Sequence, residues 1–169
     1  PAAVLKSLMD VSVKGMHVVL DTANGAAYDI APRLFVELGA KVLSLYDQPD
    51  GTNINDGCGS THMEHIQSIV RDTGADIGFA FDGDADRVLA IDRNGAVVDG
   101  DELMALAALH LREHDRLPGN GVAVTVMTNY GFHQSMSEHG VEVATTPVGD
   151  RNVLLELLQR GWAFGGEQS

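Results

Sequence analysis

Cysteine, aromatic side chains and positive charge are all scarce in this 169-residue chain. Its one cysteine, Cys58, excludes an internal disulfide and any cysteine-rich zinc site. No basic residue lies near it in sequence, and neither a nucleophile-elbow nor a papain-type signature surrounds it, so it reads as structural. Aromatics make up only 5% beside 19 glycines, a balance that suits a turn-rich α/β chain better than an all-β one. Lys and Arg number 11 against 24 Asp and Glu, for a formal net charge of −13. Such a surface repels nucleic acid and anionic membranes, and neither is expected as a partner. No apolar run reaches transmembrane length and the N-terminus lacks a signal-peptide pattern, which makes the cytoplasm the default location. No Gly-x-Gly-x-x-Gly follows a strand and no Walker loop is present, which argues against dinucleotide or nucleotide-triphosphate chemistry. Pro1 at the start and Ser169 just after a glycine pair read as the ends of a fragment.

The stretch that stands out is Ile77-Gly78-Phe79-Ala80-Phe81-Asp82-Gly83-Asp84-Ala85-Asp86-Arg87. An apolar strand ends in three aspartates at alternate positions, which face one side of an extended chain. Three carboxylates that close repel one another unless a cation neutralises them. An all-oxygen set suits a hard divalent ion, Mg²⁺ before Zn²⁺. The guanidinium of Arg87 directly behind suggests a phosphate held beside the metal. An EF-hand fails on position: counted from Asp82, its glycine falls on Arg87 and its closing glutamate on Arg93. A solvated acidic turn is the plain alternative. The Asp-x-Asp motif of haloacid-dehalogenase phosphotransferases, with Asp82 as nucleophile, is a sharper one, although Ala85 and Asp86 depart from its usual continuation.

Along the chain, a short amphipathic lead-in over residues 1 to 14 precedes a buried strand at Met16–Leu20. A helix is expected from Gly25 toward Leu38, with Pro32 kinking it or marking its first turn and Gly39 as the stop. Lys41–Tyr46 resumes as strand, and 47–60 is loop. Thr61 and Glu64 form a capping-box pair for a helix burying Met63, Ile66, Ile69 and Val70. Val88–Ile91 and Ala96–Val98 flank an Asn94-Gly95 hairpin turn. The domain boundary is placed at Asp99-Gly100-Asp101, giving domains 1–99 and 100–169. In the second, Asp101 caps a helix to about His114, Val122–Val126 is strand, Phe132–His139 helix, and Val141–Ala144 strand. Asp150 caps a helix that holds Val153, Leu154, Leu157 and Leu158 and stops at Gly161. Strands alternating with such helices predict α/β architecture: two consecutive mixed, mainly parallel sheets with helices on both faces, the second domain truncated.

Asp-Gly-Asp-Ala-Asp-Arg after an apolar strand resembles the metal loop of the α-D-phosphohexomutases. Gly165-Gly166-Glu167-Gln168-Ser169 resembles that family's sugar-recognition loop, and Pro147-Val148-Gly149-Asp150-Arg151 its second substrate loop. Asp50-Gly51-Thr52-Asn53-Ile54-Asn55, continuing through Cys58-Gly59-Ser60-Thr61-His62, is similar to the phosphoglucosamine mutase branch. Four matches in the family's order span nearly the whole chain. The resemblance implies Asp82, Asp84 and Asp86 as Mg²⁺ ligands, Arg87 on phosphate, and Glu167, Ser169, Asp150 and Arg151 toward a phosphosugar substrate. It also implies transfer of phosphate between O6 and O1 of a hexosamine through an enzyme phosphoserine. No Ser-His-Asn phosphoserine loop occurs in the 169 residues, so no catalytic nucleophile is assigned here and flanking domains of a longer mutase are the implied partners. An aspartyl-phosphate phosphatase and a non-catalytic metal-binding module stay open beside it.

Two histidine pairs need weighing. His110-Leu111-Arg112-Glu113-His114 matches a His-x-x-Glu-His zinc signature in letters only, with no third ligand. Continuing the stripe of Leu103, Leu106 and Ala107, these read as core and capping histidines. His62 and His65 read as a solvated helix face.

Overall fold

The computed structural model describes residues 12–168. The chain divides into two compact units, Pro1–Val98 and Asp99–Ser169. Most of the lead-in segment and all of Ser169 lie outside the described residues.

In the first unit, β1 (His17–Asp21) lies between β2 (Lys41–Leu45) and β3 (Ile77–Phe81), parallel to both. Strands β4 (Val88–Asp92) and β5 (Val97–Val98) extend the sheet antiparallel beyond β3, for the order β2-β1-β3-β4-β5. Alternation along β1 builds two cores, one on each face. Val18 and Leu20 pack with Ala27 and Ala31 on the side of helix α1 (Ile30–Glu37). Val19 packs with Ile66, Val70, Ala80 and Ile91 on the side of helix α2 (Glu64–Thr73). Gly78 on β3 gives α2 its close approach, because a Cβ there would sit 2.8 Å from Val70 Cγ2.

Two expectations for this unit change. Helix α1 starts at Ile30 rather than near Gly25, because residues 22–26 are consumed in a tight turn in which Ala23 and Asn24 both take positive φ. Pro32 then falls in the first turn, where its missing N–H costs nothing. The capping box of Thr61 and Glu64 does not form. Gly59–Thr61 is a short 3₁₀ turn, Met63 occupies the cap position, and the Thr61 hydroxyl lies 3.1 Å from His62 Nδ1 instead. Met63, Ile66, Ile69 and Val70 do face the core.

In the second unit, β6 (Gly121–Thr125) is central, parallel to β7 (Glu142–Thr146) on one side and to the short β8 (Gly165–Gly166) on the other. Helices α3 (Gly100–Glu113) and α4 (Tyr130–Glu138) bury Met104, Ala108, Phe132 and Met136 against Val122 and Val124. Helix α5 (Asp150–Arg160) packs on β6, β7 and β8 through Val153.

Two caps differ from expectation here. Asp99, not Asp101, caps α3: its carboxylate accepts the Glu102 N–H at 2.9 Å while Glu102 accepts the Asp99 N–H at 3.1 Å. Asp101 is buried and instead accepts the Asn129 N–H at 2.9 Å, joining the starts of α3 and α4. Gly149, at φ 123°, occupies the cap position of α5, and Asp150 is its first helical residue, with its carboxylate turned onto the Arg151 N–H. The stripe on α3 is also rotated from expectation. Leu106 is 63% exposed and His110 is exposed, because Met104 and Ala108 take the inner face. His114 Nδ1 lies 2.8 Å from the His110 carbonyl, a local C-terminal contact.

Candidate functional site

The three parallel strands of the first unit all end on one edge of their sheet, and the loops that follow them carry the polar groups. Crevices outside the carboxyl ends of parallel strands are where α/β folds bind ligands. Loop 82–87 leaves β3 at this edge. One carboxylate oxygen each of Asp82, Asp84 and Asp86 lies within 4.8 Å of the others. Asp82 is the inner member, with its side chain 14% exposed, whereas Asp86 stands 66% exposed.

The loop is held from within. Asp82 Oδ1 accepts the Arg87 N–H at 3.0 Å and its carbonyl accepts the Ala85 N–H at 3.1 Å. Ala85 takes φ 63°, a left-handed conformation that reverses the chain between the second and third aspartate. The Arg87 Nε is 3.8 Å from Asp82 Oδ2 and 3.7 Å from Asp86 Oδ1. Those distances are charge proximity rather than hydrogen bonds, and they leave a half-exposed guanidinium facing the acidic cluster.

Crowding of like charge shows in the protonation of the loop. Burial opposes ionisation of Asp82, yet the Arg87 N–H and hydrogen bonding with Asp84 and Asp86 hold its carboxyl below the ordinary value. Asp86 is pushed above its ordinary value by desolvation, by its hydrogen bond with Asp82 and by the charge of Asp84. Three convergent oxygens of hard ligands whose charges compete in this way fit a divalent cation.

Two neighbouring segments wall the loop in. The Ala26 N–H donates to the Gly83 carbonyl at 2.7 Å, and a side chain at Gly25 would overlap that carbonyl. On the other side Ile54 and Asn55 pack on Gly83, where a Cβ would sit 2.7 Å from each. A cleft of about 420 Å³, lined by Tyr28, Pro49, Ile54, Gly83 and Asp84 among others, opens beside the loop.

In the second unit, Glu167 Oε1 accepts the Gly149 N–H at 2.9 Å. The segment after β8 is therefore tied to the start of α5, where Asp150 and Arg151 are both exposed. The segment after β8 also packs against the start of α3: a Cβ at Gly100 would sit 3.0 Å from Gln168 Cα.

His62 is exposed, and His65, also exposed, places Nδ1 2.8 Å from the Tyr46 hydroxyl. Cys58 is fully buried, and burial together with the charges of Asp21 and Asp56 pushes its thiol above the ordinary value. No other grouping of three metal-binding side chains occurs among the described residues. Sequence reasoning passed over Asp21, a buried carboxylate at the end of β1. The available signal was its position, since it ends a parallel strand at the same edge as Asp82.

Fold and loop together define a class: an α/β chain of two units with a three-aspartate acidic loop at the carboxyl edge of a sheet. Residues 3–95 match the family description "Phosphoglucomutase/phosphomannomutase, alpha/beta/alpha domain II", and residues 99–169 match domain III of the same family. The chain belongs to the phosphoglucomutase/phosphomannomutase family. It is 57% identical over 155 residues to the phosphoglucosamine mutase of Moorella thermoacetica, covering 92% of this chain and 35% of that one. With the phosphoglucosamine mutase of Desulforudis audaxviator it shares 54% identity over 155 residues, covering 92% and 34%. A solved phosphoglucomutase/phosphomannomutase family protein from Burkholderia thailandensis superposes with a TM-score of 0.85 at 28% identity, over 98% of this chain and 37% of that chain. The chain thus spans about a third of the length of the curated relatives it matches. No helix among the described residues is long and apolar enough to cross a membrane.

Proposed function

We propose that this chain supplies the metal loop and the sugar-recognition loop of a phosphoglucosamine mutase, which interconverts glucosamine 6-phosphate and glucosamine 1-phosphate. The reading rests on the convergence of three aspartate oxygens within 4.8 Å, in a chain 54% and 57% identical to two relatives of that name. Asp82, Asp84 and Asp86 hold Mg²⁺, and the phosphoserine of the reaction belongs to a part of the protein outside these residues. A bound Mg²⁺ supplies positive charge that neutralises phosphoryl oxygens. Arg87 contributes a second positive charge from the rim of the same loop, where its half-exposed guanidinium is free to turn onto a phosphate. Glu167, positioned by the Gly149 N–H, accepts hydrogen bonds from sugar hydroxyls, and the hydroxyl of Ser169 contributes to the same recognition. Asp150 and Arg151, at the start of α5, line the same recognition segment, where the helix N-terminus favours an anion.

The test is a Mg²⁺ titration followed by amide NMR, repeated with beryllofluoride as a phosphoryl mimic. Shifts of residues 82–87 with Mg²⁺ alone, abolished in Asp84→Asn, are expected. A beryllofluoride adduct on Asp82 would overturn the reading in favour of an aspartyl-phosphate phosphatase. The chain by itself is expected to leave glucosamine 6-phosphate unchanged, because the phosphoserine is supplied from elsewhere.

A further inference from the structure

The residue that organises the loop neighbourhood is not in the loop. Asp21 ends the central parallel strand and is fully buried. Its Oδ1 accepts the Ala23 N–H at 2.9 Å and its Oδ2 accepts the Gly59 N–H at 2.9 Å. Burial pushes its carboxyl above the ordinary value, while those two N–H donors and the nearby His65 oppose that shift. A fully buried carboxylate costs free energy unless its oxygens are matched, and here both have a backbone donor.

The two donors lie on the two segments that wall in the acidic loop. Ala23 begins the turn that runs through Gly25, which lies under the Gly83 carbonyl, to Ala26, which donates to it. Gly59 closes the segment that carries Ile54 and Asn55 onto Gly83, and the Asn55 N–H donates to the Ala23 carbonyl at 3.0 Å. Gly59 itself approaches so closely that a Cβ there would sit 2.5 Å from the Phe81 carbonyl oxygen and 2.7 Å from Ala23 Cβ. Phe81 immediately precedes Asp82. One side chain therefore fixes both walls, and the walls fix the inner arm of the loop.

We infer that Asp21 is a positioning residue for the metal loop, setting the spacing of Asp82 and Asp84 through the backbones of Ala23 and Gly59 without touching the ion. The inference rests on the reading of Asp82, Asp84 and Asp86 as Mg²⁺ ligands. Groups that hydrogen-bond metal ligands cost roughly 10- to 100-fold in affinity when lost, and Asp21, acting one step further out through the walls, belongs at the lower end of that range. Asp21→Asn keeps one acceptor oxygen but turns an NH₂ donor toward an N–H donor, releasing one wall.

The experiment compares Mg²⁺ affinity by calorimetry in the wild-type chain, in Asp21→Asn and in Val70→Ala. Val70 is a core residue on α2 whose truncation lowers stability without reaching the walls. Asp21→Asn is expected to bind Mg²⁺ at least about tenfold more weakly, and Val70→Ala within about twofold of wild type. Equal affinity in wild type and Asp21→Asn overturns the inference and leaves the metal reading standing. Failure of the wild type to bind Mg²⁺ overturns both.

Should Asp21→Asn not fold, hydrogen exchange in the wild type decides. Coupling is reciprocal, so a tenfold effect of the walls on the ion requires a tenfold effect of the ion on the walls. The Ala23 and Gly59 amides are then expected to exchange about tenfold more slowly at saturating Mg²⁺. Unchanged exchange overturns the inference.

Discussion

Glycine at position 25 is required by a neighbour rather than by its own backbone. A methyl group there would overlap the Gly83 carbonyl, an atom of a loop already pinned by Ala26, Ile54 and Asn55. Backbone atoms held on three sides cannot yield cheaply, so Gly25→Ala is expected to lower stability by about 1–3 kcal/mol. It should also weaken Mg²⁺ binding, which a melting curve and a Mg²⁺ titration on the same variant would show. At this scale the candidate site was only half legible. Asp82, Asp84 and Asp86 announce themselves because three acids within five residues are a local pattern, although they converge through a turn with Ala85 at positive φ rather than along an extended strand as their spacing predicts. Asp21 does not, since its partner Gly59 lies 38 residues away and nothing local marks the pairing. The caps were misread for a related reason. Asp99 and Asp101 are two apart and equally suitable by type, and only the tertiary donor at Asn129 decides which of them turns inward.

That difference between two aspartates separates the roles of a helix end. Asp99 closes a capping box on α3, and Asp99→Ala is expected to cost about 1 kcal/mol. Asp101 is 2% exposed and joins α3 to the start of α4, so Asp101→Ala removes the part-buried tie to the Asn129 N–H and leaves a gap in the interior, and it is expected to cost more, about 1–3 kcal/mol. Chemical denaturation of the two variants side by side tests the order. Helix α5 shows the opposite case. Its Leu154, Leu155 and Leu158 are 55%, 53% and 70% exposed, so the apolar spacing that marked the helix in sequence did not say which leucines would be buried. Leu158→Lys is accordingly expected to leave the melting temperature within about 2 °C of wild type. Apart from the short β8, which the sequence reads as loop, element type and order were readable from periodicity and glycine stops, while element starts were not. The start of α1 was displaced by a turn whose positive-φ residues, Ala23 and Asn24, carry no glycine signal.

Across the whole molecule the excess of acid sets the response to pH. Asp92 accepts the Ala96 and Asn94 amides, which hold its carboxyl below the ordinary value, and Asp50 is lowered likewise by the Thr52 and Asn53 amides and the Thr52 hydroxyl. A carboxyl lowered by folding contributes stability above its unfolded pKa, and that contribution is lost as pH falls through the folded value. Asp21 is raised, so its contribution has the opposite sign and declines as pH rises above its unfolded value. Between about pH 4 and pH 2 the lowered groups act together, and the chain is expected to lose stability there. Asp92→Asn, which cannot titrate, should flatten that limb when melting temperature is followed against pH. Self-repulsion from a net charge of −13 should also make the fold more stable as salt is added near neutrality.

The two cores that share β1 give the first unit an uneven tolerance to error. His17-Val18-Val19-Leu20-Asp21 offers an aliphatic residue to either face, so sliding the strand by one position exchanges valine and leucine between two cores that both accept them. The slip is still costly, because it drives either His17 or Asp21 into one of those buried apolar positions. Asp21 would not keep its place, because the same slip turns its carboxylate to the other face and away from Ala23 and Gly59. A deletion within β1 is thus expected to disturb the acidic loop together with the sheet, so the number of residues in this strand matters to the site as much as their identity.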